Sequence, residues 1–395
     1  MSYIKTRQQL EQEEANRLAP YASKNINSKG RDYPESKDEF RLDFQRDRDR
    51  ILHSKAFRRL KGKTQVFVSH FGDHFRSRLT HSLEVAQISR SLARGLNVNE
   101  DLAECIALAH DLGHTPFGHA GEEAMNELLH RHGMEFEHNA QSRRIVEILE
   151  KKSSLHDGLN LTYEVREGLW KHRTIYDRQN HNLTEQAFLE AQIVDLADEI
   201  AFQNHDIDDG LRSKLIDINE MNKLELWKMA KSRADHNKNE QYEINQTISN
   251  LIKIMIEDVI QKTAKELKSL SPTSADDIRN AHTKCVSFSD EIAEHNHHLR
   301  HFLMNRFYKN PLVKGQCDQG KSTIKKLFFH YYSNPETLPK HYQNPDQDII
   351  INIKDFIAGM TDNFALNTLN QIENEIGSHK HKRTAISPKI RFSNH

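Results

Sequence analysis

The chain has 395 residues, 36% of them hydrophobic, and its 56 Lys and Arg against 57 Asp and Glu leave a net charge of -1. That length allows two or three ordinary domains or one large helical body, while near-neutrality excludes a global attraction to nucleic acid and leaves only local patches. No stretch approaches the roughly 20 apolar residues of a membrane span, and Cys105, Cys285 and Cys317 are too few and too far apart for a disulfide framework or a zinc knuckle.

The 15 glycines and 9 prolines are scarce, and alternating strand patterns are nearly absent, so an all-α chain is expected. Residues 1–10 carry Lys5 and Arg7 without an apolar run of signal type, which predicts a cytoplasmic protein with reduced thiols. Residues 1–40 read as an N-terminal extension. Residues 41–63 then hold nine Lys and Arg (41, 46, 48, 50, 55, 58, 59, 61 and 63) against three Asp (43, 47 and 49). One reading is a solvated helix face laced with Arg/Asp salt bridges. A second is a subunit interface or an anion pocket built from Arg58, Arg59, Lys61 and Lys63. A third, single-stranded DNA following the stripe, is weakened by the scarcity of interleaved aromatics.

RSRLTHSLEVAQISRSL, starting at Arg76, predicts an amphipathic helix with Arg78 and His81 on one face. CIALAHDLGH is an apolar helical run that ends in His110 and Asp111, followed closely by His114 and His119. The dipeptide His-Asp recurs at 156/157 and 205/206, so alone it carries little weight. Adjacent residues on a helix point about 100° apart. His110 and Asp111 can therefore share an ion only near a helix end, with further ligands supplied from elsewhere. EAQIVDLADEIAFQNHDIDD sets Asp195, Asp198 and Phe202 along one stripe, with Asp206 two turns beyond Asp198. Acids on an apolar stripe need a partner, and a divalent cation is an economical one. The stripe over residues 248–260 reads as core. LSPTSA at 270–275 reads as a break, and residues 310–347 carry Pro311, Pro335, Pro339 and Pro345 between shorter helical pieces.

The ordered set His81, His110, Asp111 and Asp198 resembles the metal signature of HD-domain phosphohydrolases. Around it, FQRDRDRILHSKAFRRLKGKTQVF, RSRLTHSLEVAQI, AHDLGHTPFGHAGEEA, FEHNAQS, LNLTYEVREGLWKH, EAQIVDLADEIAFQNHDIDDG and DFIAGMTDNFA resemble the bacterial deoxyguanosine triphosphate triphosphohydrolase (dGTPase) family over residues 20–370. The resemblance implies an HD-domain helical bundle with additional C-terminal helices. It implies a metal-dependent core over residues 41–210, and a helical part over residues 211–395 that completes the substrate pocket and makes oligomer contacts. The implied reaction is water attack at the α-phosphorus of dGTP, or of dNTPs generally, releasing the deoxynucleoside and inorganic triphosphate.

The same resemblance assigns roles. His81, His110, Asp111 and Asp198 would hold a divalent metal, and their mixed nitrogen and oxygen donors do not choose among Mg, Mn, Fe, Co, Ni and Zn. His114, His119 and His138 would surround the α-phosphate, with His119 as the acid or its relay and Glu122 as the carboxylate paired with it. Arg78 would offer its guanidinium to phosphate oxygens. Lys171 and Asp206 correspond to a phosphate-binding lysine and a substrate-contacting acid. Position 202 departs from the pattern, because the best-studied relatives have Tyr there and Phe202 cannot donate a hydrogen bond. Homo-oligomerisation and a second dNTP acting as activator are further implications. Two alternatives stay open: another HD phosphohydrolase acting on a nucleoside monophosphate or cyclic nucleotide, and a non-catalytic module that binds nucleotide or single-stranded DNA.

Overall fold

The computed structural model describes residues 4–65, 76–172, 185–235 and 239–384. Among them the regular elements are all helices, without a β-strand, and two isolated bridges join Arg31 to Thr162 and Thr64 to Ser77. The all-α expectation holds. No described helix is long and apolar enough to cross a membrane, and the three cysteines are free.

Local chemistry starts the helices that matter for the site. Helix Arg78–Gly95 opens on a reciprocal cap, in which the Ser77 hydroxyl accepts the Thr80 N–H and the Thr80 hydroxyl accepts the Ser77 N–H. Its inner face carries Val85, Ile88 and Leu92 and packs against helices Glu100–Ala109 and Leu189–Arg212. Asn99 caps the second of these by accepting the Leu102 N–H at 3.2 Å. Leu102, Ile106 and Leu108 on that helix are all buried. Each such side chain contributes about 1.5–3 kcal/mol. With this burial, the helix is a rigid support for the turn that follows it.

That turn, His110–Gly113, is a tighter 3-10 segment. Gly113 is required by close approach: a Cβ there would lie 2.2 Å from both the His138 carbonyl oxygen and the Ser142 nitrogen. The gap lets helix His138–Arg144 dock on the turn, where the Gly113 N–H donates to Ser142 Oγ (2.8 Å) and Ser142 Oγ donates to the His110 carbonyl (2.6 Å).

Two apolar cores flank the turn. The first runs through Ile88, Leu102, Ile106, Ile193 and Ile200 and continues past position 210 to Trp227, Met255, Leu299 and Phe307. In the second, helix Gly118–His130 meets C-terminal helices Pro311–Ser333 and Ile349–Ala358 through Met125, Leu128, Ile324, Leu327, Ile353 and Ile357. The N-terminal segment is joined to the first core by buried polar contacts. Glu14 accepts from Asn25 and Asn99, and Glu190 accepts from the backbone N–H groups of Ser23 and Asn99.

Candidate functional site

His81 comes from the first turn of helix Arg78–Gly95, His110 and Asp111 from the 3-10 turn, and Asp198 from the middle of helix Leu189–Arg212. The four side chains meet. His81 Nε2 lies 2.9 Å from Asp198 Oδ1 and 3.7 Å from Asp111 Oδ2. His110 Nε2 lies 3.4 Å from Asp111 Oδ1 and 3.6 Å from Asp198 Oδ1. Asp111 is ionised despite its burial, because His110, Arg78 and His114 beside it hold its carboxyl well below the usual range. Burial likewise opposes charge on Asp198, and His110, His172 and His81 outweigh it.

The donor set fits a divalent cation on two counts. Two carboxylates held charged among imidazoles are suitable ligand chemistry. In addition, the buried His110 Nε2 has no hydrogen-bond partner among the described residues, although its Nδ1 is satisfied by the Ala107 carbonyl at 2.6 Å. An orphaned nitrogen of this kind is costly unless something occupies the space it faces.

Arg78 stands beside this set. Its Nη1 donates to Asp111 Oδ2 at 2.9 Å, while its buried Nε and Nη2 have no partner among the described residues. Across the same pocket, the rings of His114 and His138 stack with centroids 3.9 Å apart. His114 Nε2 reaches Asp111 Oδ1 at 3.1 Å. Glu122 sits 3.1 Å from His138 Nδ1 through each oxygen and also accepts the His138 backbone N–H at 3.0 Å. It is farther from His119, with 3.9 Å to Nδ1. The carboxylate therefore pairs first with His138, comes next within 3.7 Å of His114 Nδ1, and meets half-exposed His119 at the pocket mouth last.

The remaining candidates divide. Phe202 lines the pocket and stacks on Tyr308 with centroids 6.1 Å apart. The Tyr308 hydroxyl donates to Asp206, which is fully buried behind the pocket. Lys171 is not brought to the cluster, since its Nζ is held by Glu167 at 2.9 Å and the Gln186 carbonyl at 3.1 Å. In the basic segment, the nearest carboxylates are Asp38 for Arg41, Glu35 for Arg46 and Arg50, and Glu104 for Arg48, all outside the segment's own Arg/Asp alternation. Lys63 is buried, with its ammonium on the carbonyls of His114 and Ala358, and burial with Arg78 and Arg59 nearby pushes its pKa down to about 7. A separate cavity of about 490 Å³ lies behind it, lined by Lys55, Arg59 and Gln141 among others. It is larger than the His/Asp pocket but contains none of the convergent imidazoles.

Three residues of the site neighbourhood escaped the sequence reading. His172 is buried against Asp195 and Asp198, His205 Nδ1 lies 3.3 Å from His81 Nδ1, and Gln65 lines the pocket. The only available signal was Asp195, a buried-stripe acid one turn before Asp198 that called for a cationic partner.

Residues 78–203 match the HD domain family, and residues 286–371 match the phosphohydrolase-associated domain. A deoxyguanosinetriphosphate triphosphohydrolase-like protein from Geobacter sulfurreducens is 44% identical over 367 residues, covering 90% of this chain and 94% of its own. Proteins of the same description from Ralstonia pickettii (46% over 362 residues, 88% and 92%) and Nitrosomonas europaea (44% over 364 residues, 88% and 96%) are similarly close. Among solved structures, a hypothetical protein from Aquifex aeolicus aligns with a TM-score of 0.39 at 17% identity, covering 82% of this chain and 67% of that one.

Proposed function

Since this chain belongs to the deoxyguanosinetriphosphate triphosphohydrolase-like family of HD-domain proteins, we propose that it hydrolyses a deoxynucleoside triphosphate to the deoxynucleoside and inorganic triphosphate. The reading rests on one observation: His81, His110, Asp111 and Asp198, from three chain segments, converge beside an arginine whose Nε and Nη2 have no partner among the described residues and beside a His/Glu cluster.

His81, His110, Asp111 and Asp198 would hold the metal, which when bound supplies a Lewis acid for a phosphoryl oxygen and lowers the pKa of water. The other side chains do the rest. Arg78, fixed by Asp111 through one Nη, presents Nε and Nη2 to α-phosphate oxygens, where charge grows as water adds. The bond from the α-phosphorus to O5′ breaks, and His119 delivers the proton that O5′ requires. The proton released by water restores the balance. Glu122 favours the charged imidazole of His119 before transfer, working against the burial and the Arg78 charge that lower the His119 pKa. Phe202 gives the sugar an apolar wall, with Tyr308 stacked behind it.

Incubating the protein with each dNTP and Mn²⁺ tests the reading, with inorganic triphosphate and deoxynucleoside as the expected products. Release of orthophosphate or pyrophosphate alone, or hydrolysis confined to nucleoside monophosphates or cyclic nucleotides, would assign it to other HD phosphohydrolase chemistry. Salt-sensitive binding of single-stranded DNA without turnover would favour a binding module. Repeating the assay with a second dNTP tests activation, and light scattering at micromolar concentration tests the proposed homo-oligomer.

A further inference from the structure

Asp195 and Asp198 lie one turn apart on helix Leu189–Arg212, so their carboxylates face the same side. The ring of His172, just past helix Tyr163–Lys171, is wedged between them. Its Nδ1 is 2.7 Å from Asp195 Oδ1, and its Nε2 is 3.8 Å from Asp198 Oδ2, an ion-pair contact longer than a direct hydrogen bond. Asp195 Oδ2 is in turn 2.7 Å from Lys284 Nζ, which reaches solvent. The other oxygen of Asp198, Oδ1, is the one that faces His81 and His110. His172 also meets His110 edge-on, with centroids 5.3 Å apart.

We propose that His172 is a positioning residue of the metal centre: it occupies the far side of Asp198 and directs Oδ1 toward His81 and His110. Asp198 has two equivalent oxygens and an sp² torsion that is broad and roughly two-fold, so an isolated side chain at this position would sample orientations that pull Oδ1 away from the imidazoles. A ring clamped by Asp195 blocks that space and attracts the second oxygen. Asp195, only 3% exposed, needs a partner to remain buried. His172 and Lys284 provide one, which explains an acid on the apolar stripe that the four-residue metal set leaves unused.

The proposal rests on the metal reading of the site but not on the identity of the substrate, so it is tested by metal affinity. Chelator-stripped full-length protein is titrated with Mn²⁺, following binding by calorimetry and electron paramagnetic resonance. His172→Asn keeps a donor near the Nδ1 position for Asp195 and removes the group facing Asp198. It is expected to weaken Mn²⁺ binding about 10–100-fold, to alter the bound-Mn²⁺ spectrum, and to leave the metal-free melting temperature near that of the unmodified protein. His172→Gln, whose amide reaches the Nε2 position, is expected to recover part of the affinity. If H172N melts early, Asp195→Asn is the second variant: it frees the ring without removing it and is expected to weaken Mn²⁺ binding too. Affinities within twofold of the unmodified protein in H172N and D195N would overturn the proposal. If Mn²⁺ binds and H172N weakens it while no dNTP yields triphosphate, the substrate reading fails and the role of His172 stands.

Discussion

The carboxylate of Asp362 accepts the backbone N–H of Phe117 at 3.0 Å. Phe117 has a left-handed backbone (φ 63°) and directly precedes the helix that carries His119 and Glu122. The other oxygen of Asp362 accepts the N–H of Thr64 at 2.9 Å and the Thr64 hydroxyl. One buried acid from the C-terminal helices thus ties together the loop bearing the histidine cluster and the segment leading toward Arg78. Lys63 repeats the arrangement with opposite charge, through the carbonyls of His114 and Ala358. The phosphohydrolase-associated segment therefore acts on the site by holding backbone in place.

Asp362→Ala removes the acceptor for three donors at a residue only 1% exposed. Urea denaturation is expected to register a loss of about 2–4 kcal/mol. Mn²⁺ affinity should stay within a few-fold, because His81, His110, Asp111 and Asp198 are anchored in the other core, and triphosphate release should fall. Loss of metal binding with stability intact would contradict this division of labour.

How far the site could be read in advance follows from this geometry. The set His81, His110, Asp111 and Asp198 was legible through the resemblance of its ordered motifs to HD-domain phosphohydrolases; periodicity alone offered Arg78 and His81 on one helix face and acids on an apolar stripe. Choosing 110/111 over the other two His-Asp pairs depended on the apolar run before it. In the structure His156 and Asp157 sit in a surface turn, while His205 and Asp206 are buried on a helix whose own ladder continues past them. Residues whose meaning lies in a distant partner were illegible. Asp362 pairs with Thr64 across 298 positions and Lys63 with Ala358 across 295, and no local pattern records that. His172 was hidden for the same reason, since its partners lie on a helix that begins after an intervening segment. Lys171 resembled a phosphate ligand by motif, yet its ammonium is satisfied by Glu167 one turn earlier.

His119 and Glu122 make separable contributions under the proposed reaction. His119→Ala is expected to lower kcat for triphosphate release by about 10²–10⁴-fold, with Mn²⁺ affinity unchanged because His119 is not among the clustered donors. Glu122→Gln should lower kcat less and move the pH profile. The carboxylate is held low by His138, His114 and His119 against its burial, so by reciprocity it raises their affinity for protons. Without its charge, the alkaline limb of kcat/KM should move to lower pH. A profile identical to that of the unmodified enzyme would remove Glu122 from the proton path.

Glu190 offers a test of pH-dependent stability remote from the pocket. Burial raises its pKa from 4.5 to about 7, despite the N–H groups of Asn99 and Ser23 that favour the carboxylate. The folded state therefore binds this proton more tightly than the unfolded chain. Its contribution is full below about pH 4.5 and is lost as pH rises toward 7. Glu190→Gln removes the titration. The stability of the unmodified protein relative to E190Q should fall by up to about 3 kcal/mol between pH 4.5 and 7 and then level off. A difference that is flat across this window in denaturant unfolding would show that Glu190 titrates as an ordinary carboxyl.

Tyr308 stands where the departure at position 202 is felt. Its ring stacks on Phe202 at an interplanar angle of 10°, and its hydroxyl is the donor for Asp206 Oδ2, while Asp206 Oδ1 has no partner among the described residues. Burial already drives the Asp206 pKa well upward, with Asp209 adding to it and the Tyr308 bond opposing it. Tyr308→Phe keeps the ring against Phe202 but takes away the hydroxyl, so a cost of about 1–3 kcal/mol is expected. Asp206→Asn should lose less, since the amide matches the neutral form that burial favours and keeps an oxygen to accept the Tyr308 hydroxyl. The double variant should cost less than the sum of the two, because removing the hydroxyl matters most when the acid is present. Strict additivity in unfolding measurements would mean that the hydroxyl does not stabilise Asp206. The pocket wall formed by Phe202 would then rest on ring packing alone, and Y308F should leave KM for the dNTP unchanged.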